Sequence, residues 1–390
     1  MSIRPFIIQA DSAREAIIKQ RMADYEWPAE MQLGADENPW AYGMDQGWLK
    51  DFCRFVVEDY EWQATVDELN RFDHFTAEID DLNIHFIHEE GSGDNPKPLL
   101  ISHGWPGSVY EFIDVIDRLA HPENYGGDAQ DGVTVICPSL PGYGFSDMPP
   151  RPIGQVTTAA LWDKLMVEVL GFKSYIAQGG DWGSVVTSLI GLNHSESKGG
   201  GCSAIHINMY GLRANAEPET EEESQWMADT QAVIQAESAY LQLQVTKPQT
   251  LIYAMQESPV GAAAWILEKF YSWSDLPEHN GRPDIDKRYS KHALASNLMM
   301  YLMTDRFMSA IWYYRGFAEE MPHIPLGEKV FVPVGVGQFA DTYLTFPPRR
   351  MMEESFNIVH WANFDDAGHF AAMENPGQFA DAVHAFLKVL

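Results

Sequence analysis

The chain has 390 residues, 45% of them hydrophobic, which is enough to fill the core of one large domain with additions. Its 56 acidic and 26 basic residues give a formal net charge of −30, which argues against a nucleic-acid or anionic-membrane partner. Three scattered cysteines, Cys53, Cys137 and Cys202, exclude a disulfide framework and a zinc site and favour a reducing compartment.

The first 72 residues predict a helix-rich N-terminal extension with no catalytic motif. Asp11 stands directly before residues 12–15, where it can cap the start of a helix. Residues 1–5 carry no apolar signal-peptide segment, and no stretch of the chain approaches the ~20 apolar residues of a membrane span. We therefore expect a cytoplasmic protein without a membrane partner.

Alternating residues at 75–79 and 84–88 predict a β-hairpin that begins the core. The apolar run Leu99–Ile101 predicts a buried strand, and His-Gly-Trp-Pro at residues 103–106 follows where that strand ends. This tetrapeptide resembles an oxyanion loop, in which the backbone N–H of Trp105 would be one donor. If this tetrapeptide is considered without the other motifs, the favoured interpretation is an ordinary His-Gly turn with an aromatic residue in a structural role.

The pentapeptide Gly-Gly-Asp-Trp-Gly at residues 179–183 lies between a short strand, Tyr175–Gln178, and an apolar helix start, Ser184–Ile190. It has the small-x-nucleophile-x-small pattern of a strand-to-helix elbow, with Asp181 where esterases carry Ser. A carboxylate with a pKa near ~4 needs no base to attack saturated carbon, and the product is an ester on the enzyme. The N–H of Trp182 would be the second oxyanion donor. A glycine turn with a solvated Asp is the alternative for the pentapeptide alone.

After the strand Ala204–Asn208, residues 210–328 predict a largely helical insertion that forms a lid, and the acidic run at 217–223 is typical of a solvated face. The chain returns to the sheet with predicted strands at 331–336 and 358–362. His369 then lies on a loop after the final strand, which is the position of the base in the order nucleophile, acid, base. Because the chain has 13 histidines, a surface or core role is the alternative for any one of them.

Together these segments resemble the α/β-hydrolase-fold epoxide hydrolases of the microsomal-like branch, including their N-terminal extension. The resemblance covers nearly the whole chain and also rests on residues 246–250, 258–270 and 368–372. It implies an α/β fold with a mostly parallel, doubly wound sheet, a helical lid and the helix-rich extension. The boundaries that follow are 1–72 for the extension, 73–209 and 329–390 for the core, and 210–328 for the lid.

The resemblance also implies further site residues. Tyr240 and Tyr314 match a pair of phenols that hydrogen-bonds the epoxide oxygen, and phenols stay protonated at pH 7. Relatives place the orienting acid after the strand that follows the lid, where Asp341 is the nearest carboxylate. The chain reads Gln338-Phe339-Ala340 before Asp341, where many relatives carry a Phe-Pro pair before the acid, so Asp365 and Asp366 remain the alternative.

We therefore expect an epoxide hydrolase that converts a small-molecule epoxide and water to a vicinal diol, without a cofactor or a metal. Asp181 would open the ring, and His369, oriented by Asp341, would activate water. Trp265 and Met303 are expected to face an apolar part of the substrate pocket, although such a stripe is also typical of plain core. The alternatives are a haloalkane dehalogenase, against which the tyrosine pair argues, and a hydrolase-fold binding protein without turnover. A homodimer is left open.

Overall fold

The computed structural model describes residues 2–34, 36–213 and 216–390. Its strands are β1 (Ile3–Phe6), β2 (His74–Ile79), β3 (Leu82–Glu89), β4 (Lys97–Ser102), β5 (Val133–Pro138), β6 (Tyr175–Gly179), β7 (Cys202–Ile207), β8 (Glu278–His279), β9 (Arg282–Pro283), β10 (Val330–Gln338) and β11 (Phe356–Asn363).

The helices fall into three groups along the chain. Those before β7 are α1 (Ser12–Ala23), α2 (Gln46–Glu58), α3 (Trp62–Leu69), α4 (Ile116–Ala120), α5 (Gln155–Lys164) and α6 (Asp181–Asn193). Those between β7 and β10 are α7 (Glu221–Glu237), α8 (Ala239–Thr246), α9 (Pro248–Glu257), α10 (Pro259–Trp273), α11 (Ile285–Arg288), α12 (Lys291–Leu302) and α13 (Phe307–Glu320). Those after β10 are α14 (Arg349–Glu353), α15 (Ala371–Glu374) and α16 (Pro376–Leu387). Within the described residues, no helix combines the length and the apolar character of a membrane span.

Nine strands form one sheet in the order β1-β2-β3-β5-β4-β6-β7-β10-β11. The pairings from β1 to β5 are antiparallel, and those from β5 to β11 are parallel, so the sheet is mostly parallel as predicted. The predicted hairpin is confirmed, because β2 and β3 pair in antiparallel register with Phe75 opposite Phe86. The sequence pattern did not predict β1, which pairs with β2 and joins the extension to the sheet edge.

The central strands are buried, as parallel strands covered by helices are expected to be. Leu99, Leu100 and Ile101 of β4 have no exposed surface. Helix α6 packs against β4, β6, β7 and β10 and is buried from Trp182 to Leu192. Its sequence is apolar on most of its circumference, which is why it occupies the interior rather than a half-exposed face.

The carboxyl ends of four parallel strands carry the predicted site residues. Trp105 follows β4, Asp181 follows β6, Asp341 follows β10 and His369 follows β11. Carboxyl ends of parallel strands lie at the same edge of a sheet, and ligands of open α/β sheets bind in the crevice outside them. Four residues that are far apart in the chain are therefore directed to one place.

The lid, α7 to α13, is attached to the core through the acidic run that the sequence analysis interpreted as solvated. Glu223 is only 2% exposed and completes a capping box with Thr220 at the start of α7. Arg350 in α14 donates from Nε to Glu223 Oε1 at 2.6 Å and from Nη2 to Glu223 Oε2 at 2.7 Å. The solvated interpretation is wrong for Glu223, because a bidentate arginine from the core lies opposite it.

The N-terminal extension packs on the lid as well as on the sheet. Asp11 caps α1 by accepting a hydrogen bond of 3.0 Å from Arg14 N, as predicted. Arg14 Nε donates to Leu302 O at the end of α12 at 2.8 Å. Trp40 stacks on Tyr271 of α10 with ring centroids 4.1 Å apart. The extension thus packs against two lid helices, α10 and α12, which lie over the carboxyl edge of the sheet.

Candidate active site

Asp181 lies at the turn between β6 and α6, where the pentapeptide pattern places it. Its backbone φ is 44°, in the left-handed region that costs a non-glycine residue about 1–3 kcal/mol. A Cβ atom on Gly179 would overlap the carbonyl of Gly183, and one on Gly183 would overlap the carbonyl of Ser102. These glycines let the backbone turn tightly enough to present the Asp181 side chain at the sheet edge.

One of the two predicted oxyanion donors contacts this carboxylate, and the other follows it in the chain. The backbone N–H of Trp105 donates to Asp181 Oδ1 at 2.8 Å, on a loop in which the Trp105–Pro106 bond is cis. The N–H of Trp182 lies in the first turn of α6, where backbone N–H groups have no intrahelical acceptor. A negative oxygen on Asp181 would therefore meet donors that are already in place.

His103 holds the loop that carries Trp105. Its Nδ1 lies 3.0 Å from Gly104 O, and its Nε2 accepts the N–H of Leu140 at 3.0 Å. The tautomer follows from these partners, since a carbonyl accepts and a backbone N–H donates. Burial lowers the pKa of His103 to about 4, so this histidine is a neutral structural residue and not a second base.

His369 lies between two carboxylates. Its Nδ1 is 2.9 Å from Asp341 Oδ2, and its Nε2 is 3.3 Å from Asp181 Oδ2. Burial by itself lowers the pKa of His369, but the charges and close contacts of Asp341 and Asp181 outweigh burial and raise it to about 10. The free site therefore holds an imidazolium whose Nε2 faces the predicted nucleophile.

Asp341 is oriented by the backbone that follows it. Its Oδ1 accepts hydrogen bonds from the N–H groups of Tyr343 at 2.7 Å and Leu344 at 3.1 Å. The other oxygen, Oδ2, is left to face His369. This turn fixes the carboxylate and hence the plane of the imidazole.

The two alternative acids lie elsewhere. Asp365 and Asp366 are exposed, and Asp366 pairs with Arg288 at 2.9 Å between Oδ1 and Nη2. Of the three candidates for the orienting acid, Asp341 is the one that contacts His369.

A buried glutamate fixes the loop around His369. Glu374 accepts backbone N–H groups from Gly368 at 2.8 Å, Phe370 at 2.9 Å and Asp275 at 2.9 Å. Burial raises the pKa of Glu374 to about 7, and these three donors act in the opposite direction by favouring the carboxylate. The base is thereby held by hydrogen bonds on both sides of its backbone.

A cavity of about 380 Å³, here called the larger cavity, lies beside Asp181 under the lid. Tyr240 from α8 and Tyr314 from α13 both line it, and so does Tyr343. The hydroxyls of Tyr240 and Tyr343 are 3.4 Å apart. The structure therefore brings both predicted acids and the predicted nucleophile to one cavity, together with a third phenol.

The phenols are neutral donors in fixed positions. Burial raises the pKa of Tyr240 and of Tyr314 well above the ordinary value. The ring of Tyr240 stacks on Trp105 with centroids 5.2 Å apart, and Trp182 meets Tyr314 edge-on at 4.7 Å. Trp105 thus supplies a backbone donor to Asp181, and the indoles of Trp105 and Trp182 also pack against the phenols.

Trp265 and Met303 lie outside the larger cavity, so their expected place in the substrate pocket needs correction. Neither is among the residues that line this cavity, whose apolar wall includes Val185 and Leu212. Both are partly buried against the hydrophobic core. This is the ordinary role of an apolar stripe on a helix that packs on other helices.

The thiols are not part of the site. Cys53, Cys137 and Cys202 are free and buried. Burial raises the pKa of each thiol, to about 12 for Cys53, so none is a ready nucleophile. Over residues 2–34, 36–213 and 216–390, no group of three or more His, Cys, Asp or Glu side chains is placed to hold a metal ion.

Three residues at the site were missed by the sequence analysis. Tyr343 and Glu374 lie shortly after Asp341 and His369 in the chain, and that proximity was the signal available for them. Glu111 lies in a short 3-10 segment, Val109–Phe112, and no local pattern marks it. Its place beside the site depends on how this segment folds back under the loop after β4.

Comparisons with known proteins agree with this geometry. Residues 3–112 match the family model described as epoxide hydrolase N terminus, and residues 97–198 match the model described as alpha/beta hydrolase fold. The chain is 32% identical to epoxide hydrolase 1 of Oryctolagus cuniculus, over 100% of this chain and 89% of that protein.

Two solved structures are similar over the full length of the chain. The epoxide hydrolase of Aspergillus niger matches with a TM-score of 0.84 and 26% identity, covering 100% of this chain and 97% of that chain. The juvenile hormone epoxide hydrolase of the silkworm Bombyx mori matches with a TM-score of 0.84 and 28% identity, covering 100% and 95%. The extension, the core and the lid are thus all included in the likeness.

Proposed function

The chain belongs to the epoxide hydrolase family with the α/β-hydrolase fold, and we propose that it converts an epoxide and water to a vicinal diol through an ester on Asp181. The observation that carries this proposal is the position of Asp181 between the phenols of the larger cavity and the imidazole of His369. Ring opening needs a nucleophile and an acid, whereas ester hydrolysis needs a base and oxyanion donors. The site has a candidate group for each of these four roles: nucleophile, acid, base and oxyanion donor.

In the first half-reaction, a carboxylate oxygen of Asp181 attacks one epoxide carbon. The carbon–oxygen bond of the ring breaks, and the electron pair goes to the epoxide oxygen. Tyr240 and Tyr314 donate hydrogen bonds to this oxygen and supply the proton that it needs, because both phenols are neutral in the buried site. The product is a hydroxyalkyl ester of Asp181.

In the second half-reaction, His369 Nε2 takes a proton from water as the water oxygen attacks Cγ of Asp181. The negative charge that develops on the ester carbonyl oxygen is stabilised by the N–H groups of Trp105 and Trp182. The tetrahedral intermediate then collapses, the bond from Cγ to the alkyl oxygen breaks, and the departing alkoxide takes the proton from His369. Asp181 is regenerated with one oxygen from solvent.

Esterification itself prepares the base. Asp181 and Asp341 together hold His369 protonated in the free enzyme, as the pKa of about 10 indicates. An ester on Asp181 carries no charge, so one of the two carboxylates that stabilise the imidazolium is lost. The pKa of His369 then falls and it loses its proton, which through solvent restores the phenol that was deprotonated in ring opening. The neutral imidazole can therefore accept a proton from water only after ring opening.

Trapping the ester tests the proposal. In His369→Gln, ring opening should proceed while ester hydrolysis stops, because Gln cannot take a proton from water. Intact-protein mass spectrometry after mixing with styrene oxide should show the added mass of one epoxide, and digestion should place it on the peptide that contains Asp181. His384→Gln, a change in α16 at a histidine that contacts Arg118 O, is the matched control and should turn over normally.

An unmodified His369→Gln protein, or one with full turnover, would contradict this division of labour. A modification on a peptide without Asp181 would contradict the assigned nucleophile.

A haloalkane dehalogenase is the second candidate, since such enzymes also pair an Asp nucleophile with a tryptophan donor for the halide. The buried indole N–H groups of Trp105 and Trp182 have no hydrogen-bond acceptor among the described residues, which is the observation that favours it. The phenols argue the other way, because a departing halide needs no proton. Incubation with styrene oxide and with 1-bromobutane separates the two functions: diol without bromide is expected.

We also propose a cytoplasmic location and a role in removing reactive epoxides, with a homodimer as an assembly still to be tested. The three free thiols support a reducing compartment. Cell fractionation and size-exclusion chromatography with light scattering test location and assembly.

A further inference from the structure

A second, smaller cavity lies behind Asp181. Its volume is about 20 Å³, which is room for one water molecule. Its polar lining includes Glu111, Asp181, Asn208 and His369. Among the described residues, Asp181 is the one that lines both this smaller cavity and the larger cavity, so the two spaces meet at the carboxylate that the substrate esterifies.

His369 lines this smaller cavity, and its Nε2 lacks a well-aligned partner. His369 is 7% exposed, and its Nε2 has no hydrogen bond among the described residues, since the 3.3 Å approach to Asp181 Oδ2 is poorly aligned for one. A buried polar atom without a well-aligned hydrogen bond is unfavourable. A water molecule in the cavity would satisfy this nitrogen.

Glu111 is a carboxylate at the same cavity that the proposed mechanism does not use. It follows the loop after β4, and a Cβ atom on Gly107 would overlap its Oε1, so the carboxyl lies directly against that glycine. Burial and then the charge of Asp181 raise the pKa of Glu111 to about 8, while backbone N–H groups of Ser108 and Gly104 favour the carboxylate. Because Glu111 lines the cavity, its carboxyl group can also accept a hydrogen bond from a water molecule there.

We propose that the smaller cavity holds the hydrolytic water and that Glu111 positions it for attack on the ester. The proposal rests on the function proposed above. Glu111 accepts one proton of the water in a hydrogen bond, His369 Nε2 accepts the other, and a lone pair of the oxygen is left facing Cγ of Asp181. Water thus approaches Cγ from the smaller cavity, while the alkyl group stays in the larger cavity with the phenols.

Ester formation changes the charges around Glu111. It removes the negative charge of Asp181, which raises the pKa of Glu111 in the free enzyme. At the same step His369 becomes a neutral base and no longer lowers the pKa of Glu111, so the two changes act on Glu111 in opposite directions. Glu111 is a positioning residue, because it orients the water while the bond to its proton stays intact.

The test measures the two half-reactions separately. In single-turnover stopped-flow experiments with styrene oxide, Glu111→Gln should open the ring within a few-fold of the wild-type rate and hydrolyse the ester ~10²-fold more slowly, the usual cost of misplacing a reactant. The Asp181 ester should accumulate in the mass spectrum. Glu111→Asp, which keeps the charge but shortens the reach, should recover part of the rate. Glu123→Gln, a change at an exposed glutamate, should behave as wild type.

A second variant perturbs Glu111 without replacing it. Gly107→Ala places a methyl group where the carboxyl of Glu111 lies, and the carboxyl is the flexible end of that side chain. It should therefore slow ester hydrolysis while ring opening is kept, and it decides the question if Glu111→Gln does not fold.

The possible failures are distinguishable. If both variants hydrolyse the ester at the wild-type rate while His369→Gln still traps it, the role of Glu111 is overturned and the proposed function stands. If both half-reactions slow equally and thermal stability falls, Glu111 is structural and the inference is wrong. If no variant forms an ester, the proposed function itself fails.

Discussion

Replacing Asp341 by Asn changes the acid that orients the base while keeping its shape. Oδ1 of Asp341 accepts two backbone N–H groups, from Tyr343 and Leu344, at 2.7 and 3.1 Å. Two donors demand an acceptor at this position, so the carbonyl oxygen of the introduced amide should take it. The NH₂ group of the amide then faces Nδ1 of His369 in place of Oδ2.

The size of the effect follows from this geometry. An NH₂ group opposite Nδ1 favours the tautomer in which Nδ1 accepts and Nε2 carries the proton, so Nε2 cannot take one from water. The wrong tautomer costs about 10⁴-fold in a triad of this kind. The charge that helps to raise the pKa of His369 is also lost. Ring opening does not use the imidazole as a base and should stay within a few-fold of wild type.

Single-turnover kinetics with mass spectrometry check this prediction, since the Asp341→Asn enzyme should accumulate the ester on Asp181 and release diol slowly. Asp366→Asn is the matched control: its carboxylate is exposed and pairs with Arg288 rather than His369, and turnover should be normal. Normal ester hydrolysis in Asp341→Asn, with the ester trapped in Asp365→Asn or Asp366→Asn, would refute the reasoning.

Three further predictions concern the acids, the nucleophile and the base. Tyr240→Phe and Tyr314→Phe should each slow ring opening by ~10²–10⁴-fold, less if the partner compensates, and the double variant should be almost inactive; a folded double variant within a few-fold of wild type in stopped-flow would exclude acid catalysis by this pair. A single turnover in H₂¹⁸O should label the Asp181 carboxylate and leave the diol unlabelled, whereas label in the first diol would mean direct attack by water. Because the pKa of His369 is raised to about 10, its contribution to the free energy of unfolding should be complete below about pH 6.5 and disappear as pH rises through 10. Urea unfolding of wild type should therefore weaken over this range more than that of His369→Gln, and parallel pH profiles would argue that His369 is not an imidazolium in the free enzyme.

The sequence alone determined the features that depend on local spacing. The elbow at Asp181 was predictable because a tight strand-to-helix turn admits only small residues two positions before and after it, and the structure gives the φ of 44° that such a turn requires. The β2–β3 hairpin and the capped start of α1 follow from patterns of the same short range. The order of the nucleophile and the base along the chain, combined with a parallel sheet, was enough to place His369 near Asp181.

Only the tertiary structure could decide contacts between segments that are distant in the chain. The nearness of Asp365 and Asp366 to His369 in sequence made them reasonable candidates, yet the loop after β10 presents Asp341 to the imidazole and leaves the other two exposed. In the sequence, Glu223 belongs to an acidic run that is typical of a solvated face. In the structure, it is hydrogen-bonded to Arg350 of α14. The place of Trp265 and Met303 likewise depends on which way their helices face.

Glu111 is the clearest example of a site residue that the sequence alone could not predict. It lies in a short 3-10 segment in which no local sequence pattern indicates a function. Its proposed role depends on a cavity of about 20 Å³ that Asp181 and His369 also line. Local sequence determines backbone conformation over a few residues, because the relevant sterics and hydrogen bonds act over that range. Burial, the local electric field and the shape of a cavity depend on many segments that are distant in the chain. They are therefore determined only once the chain has folded.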